Sequence, residues 1–396
     1  MPQADTPAVP SSNRDPRHPI EPAPEFAALR AEKPVLRIQR QMSNGHLWTM
    51  WMITGYAEAR EFLRSPHTSN TFGRGAAVQG QPGFLVSLDP PDHTRIRRML
   101  TREFSVKRIN VLRPRVQEIV DGFLDDMLAA GTTADLMQDF ALPVPSLVIC
   151  ELLGVPYADR ADFQRRSDIL LDPTVGAAAG AVNSREMNAY MGNLVARHRR
   201  DPGDDILGML IREHADQVSD DELVGIGNIL LIAGHETTAN TIGLGTLLLT
   251  QHPEQMRMVR DDLGVLGTAV DEILRYLSIV HTGAPRFVTE DITLGGETIP
   301  AGEMVVVSLP SANRDADFLK DPDVFDVTRK PGAHLAFGHG IHQCLGQQLA
   351  RMELSVALPA MLKKLPNLRV TAQESELVFR PDGPVNGLRA LPITWD

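Results

Sequence analysis

The chain has 396 residues, of which 43% are hydrophobic and 22% are charged, a composition typical of a globular protein with a large core. Its net charge of -11 argues against bulk binding to nucleic acid or to an anionic membrane. The sequence contains no apolar run of about 18 residues, so no membrane anchor is expected, and it starts without a signal-peptide pattern. Two cysteines are too few for a disulfide framework, and we expect a protein of the reducing cytoplasm.

The beginning of the chain differs in composition from the rest. Residues 1–24 are rich in proline and polar side chains, which favours a flexible N-terminal arm. Residues 25–396 are then expected to form a single domain. The first elements after the arm are short: a helix at 25–32, strands at 35–39 and 47–53 around a turn at 43–45, and a helix at 56–64. A glycine-rich loop follows at 69–87, and loops of that length are often functional.

A basic helix is predicted to begin at the segment 89–92, because acidic residues and prolines are favoured in a first helical turn. On this helix His93 and Arg97 are four residues apart and share one face. The opposite face carries three arginines, Arg95, Arg98 and Arg102. Taken alone, such a run is most often a solvated basic helix.

Residues 111–200 are expected to be mostly helical. Within them, the segment 173–182 consists of small residues and shows no hydrophobic periodicity. On its own pattern this segment predicts a surface loop between two charged helices.

A long helix is predicted from the capping-box pattern of Ser219 and Glu222 to His252, where Pro253 ends it. About 30 residues at roughly 1.5 Å each make a helix of about 45 Å, which is long enough to cross a domain. In its centre, Glu236 places a carboxylate among apolar residues, which is costly if the group is buried. The alternative is a glutamate that faces solvent.

Glu272 and Arg275 are three residues apart in the next helical segment, and taken alone they predict an ordinary surface pair. Short strands are expected after them, at 292–294, 298–299 and 304–308.

Cys344 lies in a glycine-rich loop, and a helix is predicted to start near Leu345. A thiolate just before a helix is stabilised by the helix dipole and by free backbone N–H groups, which suits a metal ligand. Phe337 is expected to pack beside the sulfur. The alternative is that Cys344 is a small buried hydrophobic residue, as most free cysteines are.

Four motifs of this chain resemble those of the cytochrome P-450 superfamily, in the same order and spacing. They are His93-x-x-x-Arg97, the segment 233–238 (AGHETT), Glu272-x-x-Arg275, and the loop FGHGIHQCLG at 337–346. Six of the ten residues in the loop match the family's pattern, so the loop is a specific signal, whereas Glu-x-x-Arg alone is a weak one. The resemblance covers the chain from about residue 20 to its end. It implies a mainly α fold with small β-sheets, in which haem b lies between the long central helix and the cysteine loop.

The resemblance also implies a role for individual residues. Cys344 is the axial thiolate ligand of the haem iron. The other residues expected at the cofactor are His93, Arg97, Ala233, Gly234, Arg286, Phe337, His342 and Gly346; among these, His93, Arg97, Arg286 and His342 would meet the propionates. Glu272, Arg275 and Arg329 would form a buried structural network, and Thr237 with Glu236 would deliver protons.

The implied substrate pocket is largely apolar. It comprises the loop at 69–87, the segment 173–182 acting as a lid, and the residues Ile229, Ala233, Thr282, Ala284, Asn386 and Leu388. These identities do not name the substrate.

The activity implied is that of a soluble bacterial monooxygenase, which inserts one oxygen atom of O2 into an apolar compound. The chain lacks a glycine motif for flavin or nicotinamide, so electrons from NAD(P)H would arrive through a ferredoxin and its reductase. The basic face that includes Arg98 and Arg102 would be their docking site. Two alternatives are a non-catalytic haem-thiolate sensor or carrier and a peroxide-driven oxygenase. The adjacent acid and alcohol of Glu236 and Thr237 favour the O2-dependent enzyme.

Overall fold

The computed structural model describes residues 13–15, 17–41, 47–71, 81–172, 174–330, 332–380 and 383–396. The chain forms two compact units. Unit 1 comprises residues 1–79, 271–344 and 382–386, and unit 2 comprises residues 80–270, 345–381 and 387–396. Because each unit is assembled from three separated segments, neither is a continuous stretch of chain. The single domain expected over 25–396 stays a prediction.

The structure is mainly α-helical with small sheets, which confirms the predicted fold class. The helices are α1 (Glu25–Glu32), α2 (Tyr56–Arg64), α3 (Asp92–Thr101), α4 (Val106–Ala130), α5 (Pro143–Leu153), α6 (Arg160–Leu171), α7 (Ala177–Arg200), α8 (Ile206–His214), α9 (Asp220–Gln251), α10 (Pro253–Asp261), α11 (Leu266–Leu277), α12 (Leu309–Ala312) and α13 (Gln347–Lys364). The strands are β1 (Arg14–Asp15), β2 (His18–Pro22), β3 (Val35–Gln41), β4 (Leu47–Ile53), β5 (Thr68–Ser69), β6 (Thr133–Asp135), β7 (Arg286–Val288), β8 (Ile292–Leu294), β9 (Glu297–Ile299), β10 (Met304–Val307), β11 (Arg369–Val370) and β12 (Pro392–Thr394).

Unit 1 is built on a five-stranded sheet in the order β3-β4-β10-β7-β5. β4 pairs with β3 antiparallel, so the predicted hairpin is confirmed, while its turn at 43–45 lies outside the described residues. β4 also pairs with β10 in parallel. Inward-facing Val35 and Ile53 pack with Phe62 of α2 in the core of this unit. Since β-branched residues suit a pleated, half-buried surface, this pattern was readable from the sequence.

The N-terminal segment of unit 1 forms the antiparallel strands β1 and β2. Arg14 is only 4% exposed, although it belongs to the segment expected to be a flexible arm. A composition rich in proline gives no sign of hydrogen-bond partners that are distant in sequence, and Arg14 has such partners. Residues 1–12 lie outside the described part of the chain, and the mobility of the arm stays a prediction.

Unit 2 is organised around α9, which packs against α5, α7 and α13. The Ser219 hydroxyl accepts a hydrogen bond from the Glu222 N–H at 3.2 Å, and the Glu222 carboxylate accepts one from the Ser219 N–H at 2.9 Å. The predicted capping box is therefore confirmed. The helix has 32 residues and ends at Gln251, one residue before the predicted end.

The segment 173–182 is mostly helical, because α7 begins at Ala177. The prediction of a surface loop is wrong for this part. Gly176 occupies the N-cap position in an extended conformation, and the alanines that follow have the highest helix propensity of any residue. Small side chains make no hydrophobic stripe, so periodicity alone does not detect such a helix.

Among the described residues, no helix combines the length and hydropathy that crossing a bilayer requires.

Candidate functional site

Cys344 lies at the end of a tight loop in unit 1, directly after a short 3-10 turn at Gly340–His342. Its backbone N–H donates to the Phe337 carbonyl at 2.8 Å, which closes the loop. Gly338 and Gly340 have φ angles of +67° and +74°, a conformation that favours glycine. A Cβ at Gly340 would also clash with the backbone carbonyl of Leu63, at the end of α2. The two glycines therefore determine the course of the loop.

The two cysteines have opposite surroundings. Cys344 is exposed, whereas Cys150 of α5 is fully buried. Burial raises the pKa of the Cys150 thiol to about 12, which keeps it protonated. Of the two sulfurs, that of Cys344 is accessible to a group from outside the chain. One accessible thiol on a glycine-rich loop is the donor chemistry that fits a haem iron.

Four cations were expected at the carboxylates of the cofactor, and each unit holds two of them. In unit 1, Arg286 of β7 is 6% exposed and donates to a backbone carbonyl of α2 at 2.8 Å. His342 Nε2 lies 3.3 Å from Asn70 Nδ2. In unit 2, α3 carries His93, which is buried, and Arg97, which is partly buried. The assignment of these four residues to propionates stays a prediction.

Glu272, Arg275 and Arg329 form one hydrogen-bonded network in unit 1. Arg275 donates to both oxygens of Glu272, at 2.8 and 2.9 Å, and Arg329 Nε donates a third bond at 3.1 Å. Glu272 and Arg275 are each 3% exposed. Arg275 also donates to the backbone carbonyls of Asn313 and Pro322. Arg329 also donates to those of Lys320, Asp321 and Val324. Hydrogen bonding this complete is what a buried charge cluster requires.

The centre of α9 is open on one side, although most of the helix is buried. Ala233 is exposed, and Gly234 and Thr237 are partly exposed. A Cβ at Gly234 would lie 2.8 Å from Ile149 Cγ1, so glycine permits the close packing of α5. The Thr237 hydroxyl donates to the Ala233 carbonyl at 2.9 Å. Small side chains on an open face leave room for a flat ligand to approach the backbone.

Glu236 is 1% exposed, so the alternative of a solvent-facing carboxylate is wrong. Its Oε2 lies 3.2 Å from Arg380 Nη2, and its Oε1 lies 3.5 Å from His235 Nε2. Burial acts to raise the pKa of Glu236, but the neighbouring His235 and the charge of Arg380 outweigh it. The pKa is therefore lowered, and the carboxylate is ionised at neutral pH.

Sequence reasoning missed Arg380 and its second partner, Asp168 of α6. Arg380 Nη1 lies 2.6 Å from Asp168 Oδ1, so the arginine bridges α6 and α9. Neither residue belongs to a motif, and they are more than 200 positions apart. The one usable signal was Glu236 itself, because a buried carboxylate requires a counter-charge from elsewhere in the chain.

The predicted pocket residues fall into two groups. Ala233 and Ala284 are exposed, Thr282 is partly exposed, and Ile229 is 9% exposed. Asn386 is 6% exposed, and its side-chain N–H donates to the Pro19 carbonyl at 3.0 Å. Leu388 is 1% exposed. The last two side chains are thus covered by the chain itself, which a turn motif does not reveal. The loop at 69–87 is described only outside 72–80.

The three arginines on the outward face of α3 are not equivalent. Arg98 and Arg102 are exposed, and the Arg102 side chain retains 79% of its surface although it lies 3.5 Å from the Glu213 carboxylate. Arg95 instead pairs with Glu222 and donates to the Gln217 carbonyl at 2.6 Å. Since Arg95 ties α3 to the start of α9, the exposed basic surface here consists of Arg98 and Arg102.

Comparison with known proteins finds extended similarity. The family model described as cytochrome P-450 matches residues 182–377. The vitamin D3 dihydroxylase of Streptomyces griseolus is 44% identical, over 87% of this chain and 87% of that protein. The pentalenic acid synthase of Streptomyces avermitilis is 43% identical, over 95% of each. The crystal structure of CYP105P1 with filipin I superposes with a TM-score of 0.91 at 40% identity, covering 99% of both chains.

The Glu272 network generates a stability prediction. Replacing Arg275 with alanine leaves a buried carboxylate without its main partner, which commonly costs about 3–5 kcal/mol. Arg275→Ala should therefore give little folded protein, or a free energy of unfolding lower by that amount in urea titrations. Arg37→Ala is the control, since Arg37 pairs with Glu303 at 3.1 Å on the surface and should cost less than about 1 kcal/mol. Equal stability of the two variants would contradict the prediction.

The Arg380–Glu236 pair generates a prediction on pH dependence. Because the pKa of Glu236 is lowered on folding, its stabilisation is present above the ordinary value of 4.5 and is lost as pH falls further. Arg380→Gln should lower the free energy of unfolding by about 1–3 kcal/mol at neutral pH. The difference from the parent should shrink in urea titrations at about pH 3.5.

The control for this prediction is Arg389→Gln. Arg389 pairs with Asp172 at 3.6 Å and has 52% of its side chain exposed, so its loss should change stability little at either pH. An Arg380→Gln effect as small as that of the control would show that Arg380 does not hold the Glu236 carboxylate.

Proposed function

Since the chain belongs to the cytochrome P-450 family, and is thus a haem-dependent monooxygenase, we propose that it inserts one oxygen atom of O2 into an apolar organic substrate, by hydroxylation or epoxidation. The observation that carries the proposal is the centre of α9. There a partly exposed hydroxyl, Thr237, follows a buried and ionised carboxylate, Glu236, beside the open face at Ala233. A haem-thiolate carrier or sensor needs the cysteine loop but not an acid and an alcohol at this position.

Haem b supplies, when bound, the iron that activates O2, with electrons from NAD(P)H delivered by redox partners. The Cys344 thiolate would hold its iron, from a loop whose shape Gly338 and Gly340 determine. The cations His93, Arg97, Arg286 and His342 would hold its carboxylates. The Glu272 network would keep unit 1 in the conformation that presents Cys344.

The proton chemistry of the site follows from two side chains with different freedom. The Thr237 hydroxyl donates a hydrogen bond to the Ala233 carbonyl at 2.9 Å, so its oxygen lone pairs stay available to a donor on the open side. Glu236 can donate a proton only after it has taken one up and its side chain has turned away from Arg380. Because its pKa is lowered, the protonated form is a minor species at neutral pH, and proton supply depends on this step.

The substrate is proposed to be apolar, because Ile229, Ala233, Thr282 and Ala284 carry no charge. Two relatives are named for vitamin D3 and for pentalenic acid, which supports an organic substrate of this kind. We propose that the substrate is either a natural product or a foreign compound. We also propose that a ferredoxin and its reductase supply the electrons, and that the protein acts in the cytoplasm, in keeping with a sequence that has only two cysteines.

The decisive experiment measures NADPH consumption, hydrogen peroxide and oxidised product together, in the presence of ferredoxin and reductase. Substrates come from a spectral screen of apolar compounds, including vitamin D3. In Thr237→Ala the ordered hydroxyl is lost, so we expect product per NADPH to fall at least tenfold while peroxide release rises, in line with the ~10²–10⁴-fold contribution of positioned proton donors.

Thr241→Ala is the matched control, because Thr241 lies one turn further on and is buried with its hydroxyl donating to the Thr237 carbonyl. It should keep the parent's ratio of product to NADPH. An unchanged ratio in Thr237→Ala would contradict the role of this hydroxyl. Product formed with peroxide alone, and none with the electron donors, would instead identify a peroxide-driven oxygenase.

Docking of the electron donor is proposed at Arg98 and Arg102, which are exposed on a chain of negative net charge. Arg102→Glu should slow reduction by ferredoxin several-fold at low salt, because charge steering between exposed groups is screened as ionic strength rises. The control is Arg369→Glu, at a side chain 56% exposed on β11. Stopped-flow reduction rates that are equal for both variants at low salt would contradict this docking site.

A further inference from the structure

Arg14 makes an unusual set of contacts within unit 1. Its Nη2 donates to the carbonyls of Leu277 and Ser278, at 2.7 and 2.8 Å, and its Nε donates to His281 Nε2 at 2.9 Å. The guanidinium thus binds the last carbonyl of α11 and the residues that follow it. A cation at a helix C-terminus satisfies carbonyls that the helix leaves open and interacts favourably with its dipole.

The backbone is strained where Arg14 binds. Ser278 has a φ of +38°, in a region that residues with a side chain seldom adopt. Its hydroxyl donates to the Arg275 carbonyl at 2.7 Å and accepts from Asn313 Nδ2 at 2.7 Å, while its carbonyl accepts from Arg14. Such a conformation persists only where the surroundings hold it, and it often marks a functional position.

The strained residue directs the chain into the segment 279–285, which contains Thr282 and Ala284. Within this segment, Val280 forms an isolated β-bridge with Val385, and Thr282 forms one with Ser308. The His281 N–H donates to the Pro384 carbonyl at 3.0 Å, and the Asn386 N–H donates to the Ile279 carbonyl at 2.7 Å. Asn386 in turn holds the Pro19 carbonyl of β2, so the N-terminal strands contact both the segment and the turn beside it.

We propose that Arg14 is a positioning residue for the substrate pocket. By binding the carbonyls at 277 and 278 and the ring of His281, it fixes the direction in which the segment 279–285 leaves α11. The N-terminal strands thereby determine where Thr282 and Ala284 lie and which apolar ligands fit beside them. This proposal rests on the proposed function in one respect, namely that the segment lines the pocket.

The test uses Arg14→Gln in the full chain, with Arg17→Gln as the matched control. Arg17 belongs to the same N-terminal segment, but its side chain is 77% exposed and pairs only with Asp15 among the described residues. Hydrogen exchange is measured at the amides of His281 and Asn386, with the Val288 amide as the internal reference, since it donates to the Glu303 carbonyl at 3.0 Å in the same unit. In Arg14→Gln the first two amides should exchange roughly tenfold faster or more, and the reference should not change.

A second measurement addresses the pocket. Imidazole and 4-phenylimidazole are titrated into the haem-loaded proteins, because both bind a haem iron through nitrogen but only the second reaches the pocket walls. Arg14→Gln should weaken 4-phenylimidazole about tenfold and leave imidazole and haem content unchanged. Arg14→Lys keeps the charge but not the forked donor geometry, so its affinity for 4-phenylimidazole should lie between those of the parent and Arg14→Gln. Arg14→Lys replaces Arg14→Gln if that variant does not fold.

Unchanged exchange at His281 and Asn386 would overturn the proposal, as would faster exchange with an unchanged ratio of the two affinities. Equal weakening of both imidazoles would also overturn it, because it would show general damage and not a displaced pocket wall. Failure of the parent chain to bind haem would refute the proposed function. The exchange measurement would then still decide whether Arg14 holds the segment.

Discussion

The ionised carboxylate of Glu236 is the constraint on which the site in unit 2 depends. A long apolar helix does not accommodate such a group unless other parts of the chain supply donors and positive charge. Arg380, which lies between β11 and β12, provides the charge, and the same guanidinium reaches Asp168 on α6. At Gly387 the chain also lies close to α9, because a Cβ there would clash with the Asn240 side chain. Through Arg380, the buried charge of Glu236 thus connects α9 with α6 and with the segment that carries Arg380.

In unit 1, buried charged groups are also stabilised by hydrogen bonds to backbone carbonyls. Arg275 and Arg329 share the Glu272 carboxylate, and their remaining bonds go to carbonyls of the chain between 313 and 324. Arg14 likewise donates to carbonyls, at the C-terminus of the helix that carries Glu272 and Arg275. α11 is therefore held along its length by the charge network and at its end by the N-terminal segment. The segment 279–285, whose direction we propose Arg14 to determine, follows Ser278 at this end of α11.

The sequence predicts well those features that are encoded locally. The capping box of Ser219 and Glu222, the hairpin of β3 and β4 and the glycines around Cys344 each follow from a few neighbouring residues, and the structure contains all of them. It predicts poorly the features that depend on distant partners. Arg380 and Arg14 lie in segments with no periodicity or motif, and their importance comes from contacts with residues more than 100 positions away. The burial of Asn386 and Leu388 was missed for the same reason, because tertiary packing decides it. The helical start of α7 was missed because its alanines favour a helix but form no hydrophobic stripe.

The two buried glutamates differ in how many contacts hold each carboxylate. Glu272 accepts two bonds from Arg275, one from Arg329 and one from the Asp326 N–H at 3.1 Å, so both of its oxygens are held. Glu236 has Arg380 at 3.2 Å, Asn240 Nδ2 at 3.4 Å and His235 at 3.5 Å, which are fewer and longer contacts. Rotation of Glu272 would break four hydrogen bonds at once, whereas rotation of Glu236 would break three longer contacts. The proposed roles, a structural carboxylate for Glu272 and a proton-exchanging one for Glu236, require opposite environments, and the number of donors around each supports this division.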